Sequence, residues 1–264
     1  MPPKAKAQKL RLSPTRIATF LACRVMYRFD YIDKIGRFYH KSSVGASFGA
    51  TLHQALQEFH ASGGASAEDA QALGERAISV WRSAGYQDTE QEESHQALAI
   101  ELLEKYHETA RERVDRTRLF LAEKMIKHDM GDFVLTGRVD RIDEHLEDGV
   151  LEIIDYKSGR DFVSEEDVRE ALAMCIYQLI AKRNWPDRRI FGTIHALRGA
   201  VAASAELNDE ELAEWEDALK DIGRQIIETD YESLRPVFLP DTCPTCDFYP
   251  RCTQYFRRRQ EWED

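Results

Sequence analysis

Gly137-Arg138-Val139-Asp140-Arg141-Ile142-Asp143 and, one turn later, Glu152-Ile153-Ile154-Asp155-Tyr156-Lys157-Ser158-Gly159 decide how this chain is read. Both runs carry aliphatic residues at strand-like spacing, and Glu147-Asp148-Gly149 between them is a turn signal. Side chains on a strand alternate between faces, so Leu151, Ile153, Asp155 and Lys157 share one face and Glu152, Ile154 and Tyr156 the other. An acid and a lysine two residues apart on one face sit roughly 6–7 Å apart at the backbone, and both tips can reach one reacting centre. Asp140, on the partner strand of the hairpin, can point at the same spot. Two carboxylates beside one lysine suit a hard divalent cation, and they leave an ammonium group to position water or neutralise developing negative charge. An exposed hairpin with ordinary Asp–Lys ion pairs uses the same residues. The Gly-x-x-Asp approach and the Ser-Gly exit favour the chemical reading.

Outward from the hairpin, the pattern predicts an α/β chain: a small mixed sheet flanked by helices. Ser13-Pro14 starts a helix that carries Ile17, Phe20, Leu21 and Val25. Leu52, Leu56 and Phe59 repeat at i, i+4, i+7 in a second helix that ends at Ser62-Gly63-Gly64, and His53 lies beside that stripe. Residues 66–117 read as a helical insertion of two long helices broken near Gly85. Strands are expected over 119–125, 133–142, 150–157, 190–197 and 201–207. Helices are expected over 165–183 and from Asn208-Asp209 to about residue 228. Residues 1–12 read as a flexible basic arm with Lys4, Lys6, Lys9 and Arg11, and residues 13–264 as a single domain.

Five cysteines sit in a chain with no apolar h-region and no run approaching the ~20 residues of a membrane span. This predicts a cytoplasmic protein in which the thiols serve a metal or cluster, not a disulfide framework. Cys243, Cys246 and Cys252 fall within residues 236–264 and are one ligand short of a closed set. Cys23 is the candidate fourth ligand; it would tie the two ends of the chain together. Zinc and an iron–sulfur cluster are rival occupants. Cys175 lies in an apolar helix and reads as a buried free thiol. The net charge of −11 argues against a generic nucleic-acid coat protein, without excluding an enzyme whose acids build a cation site. Positive charge gathers near the N-terminus and at Arg257, Arg258 and Arg259, which the thiol centre could bring to one face.

Taken together, Gly49-Ala50-Thr51-Leu52-His53, Gly137 to Asp143 and Ile153 to Gly159 resemble, in order, the motifs of the RecB-like branch of the PD-(D/E)XK nuclease superfamily. A fourth motif, Q-x-x-x-Y, is matched only at Tyr177: Ala173 stands in the glutamine's place and Gln178 follows the tyrosine. The cysteines are similar to those of the cluster-bearing members, the nuclease domain of AddB-type helicase–nucleases and the CRISPR-associated adaptation nucleases. The resemblance implies a restriction-endonuclease-like core and a metal-dependent deoxyribonuclease that acts on single-stranded ends. It implies Mg²⁺ or Mn²⁺ held by His53, Asp140, Asp155 and the Tyr156 carbonyl, with Lys157 assisting the attacking water. Tyr177 and Gln178 would contact substrate. Cys23, Cys243, Cys246 and Cys252 would hold a structural [4Fe–4S] cluster, and any helicase motor or CRISPR or repair partner would be a separate protein. Glu123 is a weaker candidate outside this set. A non-catalytic nucleic-acid-binding or scaffold protein on the same fold is the alternative, as is an unrelated zinc-stapled α/β protein.

Overall fold

The computed structural model describes residues 9–254. Lys4, Lys6 and the three arginines 257–259 lie outside them. The chain begins with β1 (Leu10–Leu12), α1 (Pro14–Ala22), and α2 (Arg24–Tyr27), which widens into a π-helical turn over Arg28–Ile32. There follow α3 (Val44–Ala61), α4 (Ala70–Ser79) and α5 (Thr89–Arg111). Next come β2 (Thr117–Asp129), β3 (Phe133–His145) and β4 (Leu151–Lys157). The described chain closes with α6 (Glu165–Glu170), α7 (Leu172–Asn184), β5 (Ile190–Ala196), β6 (Val201–Ala205) and α8 (Asp209–Glu228).

Helix starts follow the local chemistry. The Ser13 hydroxyl accepts from the Arg16 amide with Pro14 at the first position, and Ser43 caps α3 in the same way. Ser164 and Asn208 form reciprocal capping boxes on α6 and α8. Two differences from the sequence reading stand out. The basic arm expected over residues 1–12 does not extend to residues 10–12, and residues 1–8 lie outside the described residues. Leu10 to Leu12 pair with Phe133 to Leu135, Leu12 is fully buried, and Lys9 is anchored by Asp129 at 2.7 Å. The helix expected over 165–183 is broken at Ala171, whose ψ of 107° is extended, so α7 starts afresh with its own direction.

The six-stranded mixed sheet runs β1-β3-β4-β5-β6, with β2 antiparallel on the other edge of β3. One edge of β3 is therefore shared. β1 pairs with its start at residues 133–135 and β4 with its far half at 141–144, which leaves residues 136–140 without a strand partner on that edge. Beyond Ile154, β4 parts from β3 but stays paired with β5 as far as Lys157. The fork so formed opens at Asp140 and Asp155.

Helices cover both faces of the sheet. On one face Phe48, Leu52, Leu56 and Phe59 of α3 pack with α4, α5, Ile154 and Tyr156. On the other, α1, α7 and α8 pack on Leu135, Val139, Ile142, Leu151 and Ile153. The alternation read in β4 is thus what separates the two cores. Among the described residues no helix is long and apolar enough to cross a membrane.

Candidate active site

The fork gathers His53, Glu123, Asp140, Asp155 and Lys157. Asp140 points off β3 where β4 has left it, and its Oδ2 accepts from the Tyr156 amide at 3.1 Å, in place of a ladder bond. Its Oδ1 lies 3.2 Å from His53 Nδ1, delivered by α3. Burial opposes a proton on His53, but the hydrogen bond and charge of Asp140, with the charge of Asp155, outweigh it and raise the imidazole pKa.

His53, Glu123 and Asp140 each offer one ligand atom, all within 4.8 Å of one another. Glu123 enters from β2, between the pairs Ala122–Arg141 and Lys124–Val139, which places it across from Asp140. Its φ of +46° is unusual for a residue with a side chain. Glu123 was outside the core set read from the sequence. Its signal is the cross-strand register, which a single strand does not display.

Asp155 is buried, and Lys157 Nζ lies 2.7 Å from its Oδ2. That contact is one of charge, because the oxygen has no aligned hydrogen-bond donor. Burial raises the Asp155 pKa; Lys157 pulls against it and Asp140 adds to it. Glu123 and Asp140 thus share one candidate cation position with His53, the Asp155–Lys157 pair stands beside it, outside that group, and Arg138 donates to Glu123 at 2.5 Å. With His53 neutral, one negative charge is left over, and the buried Asp155 carboxylate has only Lys157 to offset it. A divalent cation fits that donor set of hard oxygens and one imidazole.

The fourth-motif residues part company. Tyr177 turns toward the fork: burial, then the charges of Asp155, Asp140 and Glu123, push its phenol pKa up. It reaches there because position 137 is glycine; a Cβ on Gly137 would come within 2.6 Å of the Tyr177 ring. Gln178, the other residue expected to contact substrate, turns away from the fork. It is fully enclosed, and its Oε1 accepts from the Leu207 amide at 3.1 Å. Successive helix residues diverge by about 100°, so only one of the pair can face the fork. Tyr156 sends its side chain to the opposite face, where its hydroxyl meets Tyr106 at 2.9 Å. What it offers the fork is main chain.

Behind Tyr156 lies a buried polar layer that braces the sheet. Arg141 forks onto Asp143 while donating to Tyr106 at 3.0 Å. Arg113 forks onto Glu152, which also accepts from Thr193 at 2.7 Å. Burial disfavours charge on Glu152, yet Arg113, Thr193 and His145 hold its pKa down at about 2.

The four expected thiols lie near enough to feel one another's charge, though among the described residues no three of their sulfurs come within 4.8 Å of one another. The Met26 amide donates to Cys23 Sγ at 3.5 Å, and Met26 Sδ lies 4.0 Å from Cys246 Sγ. Burial, then the neighbouring sulfurs of Cys246, Cys23 and Cys243, push the Cys252 thiol up to about 11. Cys175 stands apart, buried in α7 with its thiol on the Arg169 carbonyl at 3.0 Å.

No curated protein sequence matches this chain. A family model does: that of the PD-(D/E)XK nuclease superfamily, over residues 11–253. With the acids of β3 and β4, the lysine two residues on and the mixed sheet all in place, the chain belongs to the PD-(D/E)XK nuclease superfamily.

Proposed function

We propose that the chain is a metal-dependent deoxyribonuclease of the RecB-like branch, cutting single-stranded ends. The observation that carries this reading is the convergence of Glu123, Asp140 and His53 beside the buried Asp155–Lys157 pair. Asp140, Asp155, His53 and Glu123 would hold the cation, with the Tyr156 carbonyl as a further oxygen donor. The nitrogen ligand favours Mn²⁺ over Mg²⁺. When bound, the ion supplies Lewis acidity toward a phosphate oxygen and lowers the pKa of a water. The protein supplies the rest. Lys157 keeps an ammonium group at the fork, where it orients the attacking water and stabilises the extra charge on the phosphate. The Tyr156 amide fixes the Asp140 carboxylate, and Tyr177 closes the apolar side against bulk water. The ends it trims would come from a separate motor or from a repair or adaptation partner.

Asp155→Asn is expected to lower Mn²⁺-dependent cleavage of 5′- or 3′-labelled DNA strands by at least about 10²-fold. Because the substitution relieves a crowded buried charge, the melting temperature should hold or rise. Cleavage at the wild-type rate in a clean preparation ends the assignment.

In the same reading Cys23, Cys243, Cys246 and Cys252 hold a [4Fe–4S] cluster that pins the C-terminal segment to α2 and takes no part in cleavage. What supports it is that these four thiols share one neighbourhood while the fifth does not, with the sulfurs of any three spread wider than 4.8 Å. Protein purified without oxygen should contain iron and acid-labile sulfide in equal amounts. Stoichiometric zinc without sulfide would assign the site to the rival occupant.

A further inference from the structure

A cavity of about 260 Å³ opens between the α2 turn and the segment that runs into and out of the thiols. It shares no residue with the carboxylate fork. Its lining includes Arg28, Arg235 and Arg251 against one acid, Asp33, with Phe29 and Pro236 as apolar walls. Arg28 Nε donates to Asp33 at 3.1 Å, so one guanidinium is matched by charge. Arg235 Nη1 donates to the main-chain carbonyls of Glu232 and Leu234 at 3.0 Å each. Those bonds orient the group without neutralising it. Three cations against one anion is the reverse of the chain as a whole, whose net charge is −11. The space is more than one phosphate needs, and less than the roughly 300–1,000 Å³ of small-molecule pockets.

Next to Pro236 the surface turns apolar and aromatic. Val237 and Phe238 are 68% and 50% exposed, and the Phe238 ring lies 6.2 Å from that of Tyr249. Phe238 is outside the cavity lining but only two residues beyond Pro236; guanidinium groups with an open aromatic ring that near along the chain suit a strand whose bases are free to stack, whereas a duplex keeps its bases inside. We infer that this cavity is a phosphate site for a single nucleic-acid strand, remote from the bond that is cut. It takes the backbone phosphate at Arg235 and Arg251 and lays a base against Phe238. Arg251 adjoins Cys252, so the thiol segment that anchors the fold also presents the strand-binding groups.

The inference rests on the proposal that the chain acts on nucleic-acid strands, and measuring binding in EDTA separates the two. Fluorescence anisotropy with labelled oligo-dT is compared for the wild type and Arg235→Gln/Arg251→Gln across a KCl series. Losing the contact to that one phosphate should flatten the slope of log K against log salt by about 0.7. The lysine pair Arg235→Lys/Arg251→Lys should keep the wild-type slope and so controls for folding. Arg118→Gln/Arg224→Gln, which removes equal charge elsewhere, should leave it unchanged. Equal slopes and affinities in the wild type and the glutamine pair overturn the inference and leave the nuclease reading standing. Charge-sensitive strand binding without any Mn²⁺-dependent cleavage does the opposite. Inorganic phosphate that raises the melting temperature of the wild type but not of the glutamine pair, with oligo-dT binding alike in both, would assign the cavity to a free anion and overturn the strand assignment.

Discussion

Glu123 holds a φ of +46°, a conformation that costs a residue with a Cβ on the order of 1–2 kcal/mol. The strain sits across from Asp140, where it turns the carboxylate into the fork rather than along the strand. A ligand role for Glu123 makes a specific prediction. Glu123→Gln should raise the Mn²⁺ concentration needed for half-maximal cleavage about 10–100-fold, with little change in melting temperature. An unchanged Mn²⁺ dependence would reduce Glu123 to a partner for Arg138. The sequence displays Asp140, Asp155 and Lys157 because strand alternation fixes their face. His53 is legible only through its motif, since a lone histidine beside a leucine stripe usually edges a core. Glu123 is hidden because a glutamate near the end of the expected strand 119–125 usually points to solvent, and only pairing with β3 gives it a site. Gln178 misleads for a related reason: its orientation depends on the roll of α7 about its axis, set by the break at Ala171.

The joint between α7 and β3 shows how one element tunes another. Gly137 lets the Tyr177 ring close on the strand, near enough for the charges of the carboxylates to act on its phenol. Gly137→Ala should destabilise the fold by about 1–3 kcal/mol, measured by urea unfolding, because the new methyl meets the Tyr177 ring and not a mobile chain end. It should also slow cleavage by displacing the phenol. Gly137→Ala combined with Tyr177→Ala should cost less than the sum of the two single changes, which shows that the two positions are coupled. Most elements were readable from capping residues and periodicity. β1 was not, because three residues carry too little pattern and their partner lies far along the chain.

At the scale of the molecule, a carboxylate–imidazole–carboxylate bridge joins the turn that follows Cys23 to Asp247, which lies between Cys246 and Cys252. His40 Nδ1 lies 3.2 Å from Asp247 and Nε2 lies 2.6 Å from Asp30, so only the doubly protonated ring satisfies both acids. The Asp247 hydrogen bond, aided by Asp30, raises the His40 pKa against a smaller opposing effect of burial. The stabilisation is therefore complete below the ordinary imidazole value of about 6.5 and fades as pH rises through the higher folded value. Because His40 is half exposed, its contribution is at most about 1 kcal/mol. Wild type and His40→Asn should differ in urea midpoint at about pH 6 and converge by about pH 8.5; a constant gap would mean that packing on Phe248, not charge, is what His40 contributes.

β1 also has a consequence for synthesis. Leu10–Leu12 leaves the ribosome long before Phe133–Leu135 exists. At about 5–20 residues per second, the wait is roughly 6–24 s. Throughout it the apolar side chains of β1 and α1 have no sheet to cover, a vulnerable interval during which trigger-factor-type holdases should find the nascent protein.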